Sequence, residues 1–346
     1  MRLNLPRSYW IFQRKLPAMS AEIVLAPELV EGEIVGEIAL APDVMDAFEW
    51  FLRVEVANGD ATDDTVNAYR REVEAWARWC DARGLGVLDA TRDDVEFFRE
   101  SLKQNGATVA TRRFKLSIIR RFYDAALRYE LLAKNPAQGV RAGKELGAVE
   151  DKIKALARRE LAQLFDAMPT KTPADARDKA ILGLMALHGL RRIEVHRLNH
   201  EALRGLDGES PSIRVEGKGS KTRVVYLRGD VLEALQTYFL AKFGLGMKDE
   251  GAVFVSHSNN ARGKRLSRQA LNEIADKHLE MAGLKREGVS CHALRHTFGT
   301  LAVAGGAKIE HLRDAMGHSK IDTTSMYVRA VDKAKNNPAN LIDVEL

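Results

Sequence analysis

Apolar residues recur at helical spacing from about residue 43 to residue 139. The segment 65–84 shows the pattern clearly, with apolar side chains three to four positions apart at Val66, Tyr69, Val73, Trp76 and Cys80. This period places them on one face of a helix. Asp64 or Thr65 can cap the start of this helix, and Gly84 can end it. We therefore predict an amphipathic helix whose apolar face lies in a core.

Two more helices are predicted before the middle of the chain. One runs from a capping Thr91 to Gly106. The other covers the segment 107–132, where basic residues are interleaved with apolar ones. These basic residues are Arg112, Arg113, Lys115, Arg120 and Arg121. The stretch that follows contains Asn135-Pro136 and repeated glycines, which is the composition of a linker.

The second half of the chain predicts helices around a small sheet. Its helical segments are 157–168, 176–190, 267–283, 292–306 and 308–318. The segment 212–227, "SIRVEGKGSKTRVVYL", predicts two strands around a Gly-Lys-Gly turn. The fold class is therefore mainly α with a small antiparallel β-sheet. We expect an acidic N-terminal lead-in at 1–42, a helical domain at 43–139, a linker at 140–151, a second domain at 152–330 and a C-terminal tail at 331–346.

Charge is unevenly distributed over the 346 residues, whose formal net charge is +5. Residues 20–64 carry twelve acidic residues and one basic residue, Arg53, so the chain after residue 64 is strongly basic. The positive charge of this segment suits a polyanionic partner, although a protein with a basic surface and no such partner would have the same excess of basic residues. No apolar run approaches the ~20 residues that cross a bilayer, and we expect no secretory signal. The two cysteines predict no disulfide framework, which favours the cytoplasm.

Four histidines, three arginines and one tyrosine fall within residues 291–330. His292 and His296 are four apart on a predicted helix and could bind zinc. Arg295 lies between them, however, and a guanidinium beside a metal cation is unfavourable. No glutamate occupies the position of a metalloprotease base. We therefore expect no metal and no cofactor.

A phosphodiester fits the same residues better. Arginine offers a planar fork of donors to phosphate oxygens, and cations stabilise charge that builds on phosphorus. A histidine can accept the proton of a tyrosine hydroxyl, which can then attack as a nucleophile. The candidate residues are Arg191 with Glu194 three positions later, Lys218, His292, Arg295, His318 and Tyr327.

The second half of the chain resembles the tyrosine recombinases, the site-specific recombinases and phage-type integrases, and especially their Xer-like members. The resemblance rests on "HGLRRIEV", "EGKGSKTRVVYL" and "HALRHTFGTLAVAGGAKIEHLRDAMGHSKIDTTSMYV", and it extends with a softer match over the preceding helical domain. The family implies cleavage and rejoining of DNA through a 3′-phosphotyrosine intermediate. It also implies a two-domain, C-shaped clamp on double-stranded DNA, in which a SAM-like core-binding domain precedes the catalytic domain.

The resemblance also implies roles for single residues. Arg191 matches the first catalytic arginine, His292 and Arg295 match the H-x-x-R pair, His318 follows Gly317 as in the family's L-G-H motif, and Tyr327 matches the nucleophile. Lys218 matches the lysine thought to protonate the leaving 5′ oxygen. Arg192 is a rival for the role of Arg191, which we prefer because Glu194 then has the usual offset. His296 is expected to be structural.

Partners follow from the same resemblance. We expect DNA contacts from the basic helix and from the predicted hairpin, at Arg112, Arg113, Lys115, Arg120, Arg121, Lys221 and Arg223. Family members act as tetramers on two DNA sites, here with a possible second recombinase. A tail that ends in Leu341, Ile342, Val344 and Leu346 could dock on a neighbouring protomer. A cytoplasmic, nucleoid-associated protein is expected.

Two other functions remain open from the sequence. A type IB topoisomerase-like enzyme would share the chemistry and relax DNA without a partner site. A non-catalytic DNA-binding protein could keep the same fold, but the full set of candidate residues argues against it.

Overall fold

The computed structural model describes residues 42–144, 153–217, 222–248, 250–318 and 321–335. The chain divides into two compact units, Met1–Leu146 and Gly147–Leu346. The described part is mainly helical with one three-stranded antiparallel sheet, which confirms the predicted fold class. Several predicted features lie outside the described residues: the lead-in up to residue 41, Lys218, Lys221, and the tail residues Leu341, Ile342, Val344 and Leu346.

Four α-helices form the described part of the first unit. They are α1 (Pro42–Trp50), α2 (Asp63–Asp81), α3 (Arg92–Gln104) and α4 (Val109–Arg128), with a π turn at Phe51–Glu55 and a 3-10 turn at Val56–Gly59 between α1 and α2. Thr91 caps α3 as predicted, and it exchanges hydrogen bonds with Asp94 in a capping box. Helix α2 begins earlier than predicted, because its N-cap is Thr62.

The second unit contains the remaining elements. They are α5 (Arg158–Asp166), α6 (Pro173–Leu187), α7 (Arg192–Arg197), β1 (Leu203–Arg204), β2 (Ser212–Glu216), β3 (Thr222–Tyr226), α8 (Gly229–Gly244), α9 (Arg268–Met281), α10 (Cys291–Ala304), α11 (Ile309–Met316) and α12 (Asp322–Lys335). Strand β2 pairs with β1 and with β3, and Val215 lies opposite Arg223. The two-residue β1 was not predicted, because it is too short to show a period. Helix α12 continues past residue 331, where the tail was expected to begin.

Helix α6 forms the centre of the second unit. Apolar residues surround its axis, and six of them, Ala180, Ile181, Leu182, Leu184, Met185 and Ala186, are at most 1% exposed. A helix that is apolar all round must be covered on several sides. Helices α8 and α10 pack against it. The core thereby fixes α10, which carries the candidate residues His292 and Arg295. No helix in the described ranges is long and apolar enough to cross a membrane.

A buried polar pair ties the helices of the first unit together. Trp76 on α2 donates its indole N–H to the hydroxyl of Tyr123 on α4 at 2.9 Å. The same hydroxyl donates to the backbone carbonyl of Val87 at 2.6 Å. Both rings are fully buried. A buried donor or acceptor without a partner costs stability. The Tyr123 hydroxyl is the partner of two such groups, the Trp76 indole N–H and the Val87 carbonyl.

Replacing Tyr123 with phenylalanine should therefore destabilise the chain. Tyr123→Phe leaves the Trp76 N–H and the Val87 carbonyl unpaired, and we expect about 2–4 kcal/mol lower free energy of unfolding for this unit. Urea unfolding followed by tryptophan fluorescence measures the change. Tyr69→Phe is the matched control, because the Tyr69 hydroxyl is only a partly exposed acceptor for Arg121. A loss in Tyr123→Phe no larger than in the control would contradict the role of the buried pair.

Candidate active site

The turn before α7 places Arg191 in the second unit. Gly189 precedes it with φ +67°, and a Cβ at this glycine would lie 2.4 Å from the ring of Phe298. The glycine thus permits both the left-handed backbone and the close approach of α10. Arg191 is the N-cap of α7. Its guanidinium donates to Glu194 at 2.8 Å, and its backbone N–H donates to the same carboxylate at 2.7 Å. The expected pairing of Arg191 with Glu194 is therefore present.

Glu194 is a buried carboxylate shared by two arginines. Its side chain is 2% exposed. Besides Arg191, it binds Arg223 through two guanidinium N–H groups, each at 2.8 Å. Burial alone would raise the pKa of Glu194, but the hydrogen bonds and charges of Arg223 and Arg191 outweigh it and hold that pKa below the usual range. The carboxylate stays ionised and fixes both cations.

Three arginines bind consecutive carbonyl groups where α11 ends. Arg223 donates through Nε to the carbonyl of Ala315 at 2.9 Å. Arg295 donates to Met316 at 2.6 Å, and Arg191 donates to Gly317 at 3.0 Å. The last carbonyls of a helix lack helical partners and form its negative end, which favours cations. This helix end therefore orients both candidate catalytic arginines.

Arg295 lies beneath the site on α10. It is 2% exposed and also donates to the carbonyl of Gly189. Burial, followed by the neighbouring charge of Arg191, lowers the pKa of Arg295 to about 10. The group remains a cation at neutral pH, so two positive charges lie side by side. Such a pair suits a dianionic or pentacoordinate phosphate.

Tyr327 on α12 is enclosed by α10. It is 1% exposed, and its hydroxyl lies 2.9 Å from Nδ1 of His296. Its ring lies flat on Gly299, where a Cβ would come within 2.8 Å of the phenol carbon Cζ. Burial raises the pKa of Tyr327, and the nearby Arg295 and Arg191 offset this only in part. The phenol is therefore protonated at neutral pH, and it would need a proton acceptor to act as a nucleophile.

The three histidines of the site are all weak bases. Burial, followed by the charges of neighbouring groups, lowers the pKa of His296 and of His318 to about 4. Desolvation and then Arg295 also lower the pKa of His292. His318 shares a hydrogen bond of 2.9 Å between its Nδ1 and the hydroxyl of Thr324, and its ring is nearly parallel to that of Tyr327. All three are neutral at pH 7 and able to accept a proton.

The structure brings together five of the six predicted catalytic residues. Arg191, His292, Arg295, His318 and Tyr327 lie around the end of α11, and Lys218 is outside the described residues. Sequence reasoning missed His296 as the neighbour of Tyr327, the candidate nucleophile, because that contact joins positions 31 apart. It also missed the internal role of Arg223. Between Arg191 and its rival Arg192, the contacts with Glu194 and Gly317 favour Arg191.

The metal alternative has no geometric support in this site. His292 and His296 meet edge to face with ring centroids 4.6 Å apart, and Nδ1 of His296 is engaged with Tyr327. Across the described ranges, no group of three or more His, Cys, Asp or Glu side chains could hold a metal ion.

Several basic residues of α4 make contacts within the first unit. Arg112 is 8% exposed, and Lys115 forms an ion pair with Glu72. Arg120 donates to the backbone carbonyl of Val140 at 2.9 Å. Arg112, Lys115 and Arg120 are thus buried or engaged within their own unit, and DNA contact by α4 stays a prediction.

Two of the predicted basic side chains of α4 remain on the surface. Arg121 is exposed, although it donates to the backbone carbonyl of Glu55 at 3.0 Å. Arg113 is also exposed. Arg223, for which DNA contact was predicted, is largely buried against Glu194, with 13% of its side chain exposed.

Family models and individual related proteins identify the same protein family. Residues 154–334 match the phage integrase family, and residues 52–130 match the phage integrase N-terminal SAM-like domain. Tyrosine recombinase XerD of Bifidobacterium longum is 30% identical over 309 residues, which cover 86% of this chain and 94% of that protein. Tyrosine recombinase XerC of Pelotomaculum thermopropionicum is 31% identical over 297 residues, covering 82% and 92%.

Solved structures show the same fold at lower sequence identity. XerH site-specific recombinase in a post-cleavage complex with its palindromic difH substrate has a TM-score of 0.63 at 18% identity, over 79% of this chain and 78% of that one. A lambda integrase dimer bound to a COC′ core site has a TM-score of 0.60 at 17% identity, over 80% and 95%. Together with the sequence matches, these show that the chain belongs to the phage integrase family and is a tyrosine recombinase.

Proposed function

We propose that this chain cuts and rejoins double-stranded DNA at a specific recombination site, with Tyr327 as the nucleophile. The observation that carries the proposal is the Tyr327 hydroxyl, held 2.9 Å from a neutral histidine in a site whose charge comes from Arg191 and Arg295. The XerC and XerD relatives and the recombinases crystallised with their DNA sites support the same substrate. Strand transfer between two sites then gives resolution, integration or excision.

The cleavage step begins with proton transfer from the phenol. With Nε2 of His296 protonated, Nδ1 is free to accept the Tyr327 proton as the phenol oxygen attacks phosphorus. The bond from phosphorus to the 5′ oxygen breaks, and that oxygen takes a proton from a general acid. By resemblance, Lys218 supplies it. The products are a 3′-phosphotyrosine and a free 5′ hydroxyl, and attack by a 5′ hydroxyl reverses the step and rejoins a strand.

The arginines stabilise the charge of the reacting phosphate. Arg191 is about one-third exposed and holds two of its donors on Glu194 and Gly317, so its remaining N–H groups can reach a phosphate oxygen. Arg295 adds positive charge from below. Because Tyr327 is buried in the chain without DNA, docking of the phosphate must uncover its hydroxyl before attack.

Assembly on DNA is the remaining part of the proposal. We infer a homo-tetramer on two recombination sites, on the basis of the resemblance to Xer-like enzymes. Arg113 and Arg121 are two exposed basic residues of α4 that support DNA binding by the first unit.

Removing the phenol oxygen should abolish covalent capture of DNA. We expect wild-type protein to remain attached to DNA in cells, and sequencing of the attached DNA to identify the site. An oligonucleotide of that site, nicked beside the cleavage point, should then trap a covalent complex that survives denaturing electrophoresis. Tyr327→Phe should trap none, because phenylalanine has no nucleophilic oxygen. Tyr226→Phe, at a 68% exposed tyrosine on β3, should trap DNA as wild type does. A complex that persists in Tyr327→Phe would exclude this nucleophile.

Loss of the proton acceptor should make cleavage depend on pH. Single-turnover cleavage by wild type should change little from about pH 6 to about pH 8, because His296 is neutral well below this range. His296→Gln should slow cleavage about 100-fold at neutral pH. Its rate should then rise towards about pH 9.5, as solvent begins to ionise the phenol. The measurement is the yield of covalent complex against time at saturating DNA, and a pH profile with the shape of the wild-type profile would contradict the role of His296.

Cleavage should need neither ATP nor a divalent cation. The arginines supply the positive charge that the phosphate requires, and the phosphotyrosine retains the energy of the broken bond. We expect equal rates of covalent complex formation in excess EDTA and in added magnesium. A strict requirement for magnesium or zinc in this step would contradict the prediction and would favour metal binding by His292 and His296.

A further inference from the structure

Arg223 is held by contacts inside the second unit. It lies on β3 with 13% of its side chain exposed. Two of its guanidinium N–H groups bind the two carboxylate oxygens of Glu194, each at 2.8 Å. Its Nε binds the carbonyl of Ala315 at 2.9 Å. The planar fork is thus matched to the carboxylate on one side and to the end of α11 on the other.

These contacts join three elements that carry different parts of the site. Glu194, on α7, also holds Arg191. The end of α11 holds Arg295 and leads directly into His318. Arg223 connects the two from β3, so it couples the arginine side of the site to the histidine side.

The guanidinium of Arg223 lies close to the backbone of Gly317. Gly317 has φ +62° and ends α11, and a Cβ there would lie 2.8 Å from Nη1 of Arg223. The left-handed turn favours glycine at this position, and the absence of a Cβ leaves room for the guanidinium. The turn at Gly317 and the side chain of Arg223 therefore fit each other closely.

We propose that Arg223 is a positioning residue for cleavage. Without it, Glu194 keeps Arg191 as its remaining arginine partner and draws that guanidinium away from the phosphate, while the carbonyl end of α11 loses one of its three bonds. The inference rests on the proposed function, since it concerns the same reaction. It replaces the expectation that Arg223 binds DNA.

The test compares two substrates in single-turnover cleavage at saturating DNA. Both are suicide oligonucleotides of the site that the wild-type protein captures, one with a normal scissile phosphate and one with a methylphosphonate, which carries no negative charge. Arg223→Met should bind the normal DNA within about threefold of wild type and cleave it about 100-fold more slowly. On the methylphosphonate, the difference from wild type should fall to about tenfold or less, because an uncharged phosphorus depends less on a well-placed Arg191.

Three further variants sharpen the result. Arg223→Lys keeps the charge but cannot bind both carboxylate oxygens and the carbonyl, so it should cleave at an intermediate rate. Arg191→Ala should show the same smaller defect on the methylphosphonate. Arg214→Met is the matched control, because Arg214 is an exposed arginine on the neighbouring strand β2, and its cleavage rate at saturation should equal that of wild type.

Each other outcome overturns the inference. Weaker binding of Arg223→Met with an unchanged rate at saturation would make Arg223 a DNA contact. An equal loss on both substrates, in Arg223→Met and Arg223→Lys alike, would make its role only structural. If the wild-type protein captures no DNA at all, the proposed function itself fails. The wild-type control distinguishes this outcome from a failure of the inference about Arg223.

Discussion

The buried carboxylate of Glu194 is the group on which the site depends. It accepts four hydrogen bonds, two from Arg191 and two from Arg223. A carboxylate this far from water is stable only when it is paired and hydrogen bonded, and removal of one partner of a buried ion pair is strongly destabilising. The folded state therefore holds both guanidinium groups in place before any substrate arrives. This preorganisation lowers the reorganisation needed when a phosphate docks.

The end of α11 gives the second fixed reference. Its last carbonyls are satisfied by arginines from β3, α10 and the turn before α7, and Gly317 then turns the chain towards His318. The same bonds that orient the cations thus also locate a histidine. Groups that share partners in this way do not act independently, and substitutions among them are expected to be non-additive. The cations and His318 behave as one unit.

Burial distributes the charges of the site in a way that suits its chemistry. The arginines remain cations, and the histidines are held neutral by desolvation and by the arginines. Tyr327 remains a phenol, because burial raises its pKa more than the nearby cations lower it. The site therefore combines fixed positive charge, which suits a phosphate, with an uncharged histidine beside the proposed nucleophile Tyr327. An ionised phenol would neutralise the arginines, and a protonated histidine could not accept a proton.

The sequence determined what depends on neighbours along the chain. Helical periods gave the main elements, Thr91 gave a helix start, and Glu194 was paired with Arg191 because three positions along a helix bring side chains together. The motifs also identified the family. Packing decided the contacts between distant positions. His296 meets Tyr327 only because α12 packs on Gly299. Arg223 and Arg112 are largely buried, although the sequence around a buried arginine has the same basic pattern as the sequence around an exposed one. Local patterns record period and charge, but the partner of a side chain is set by how the helices pack.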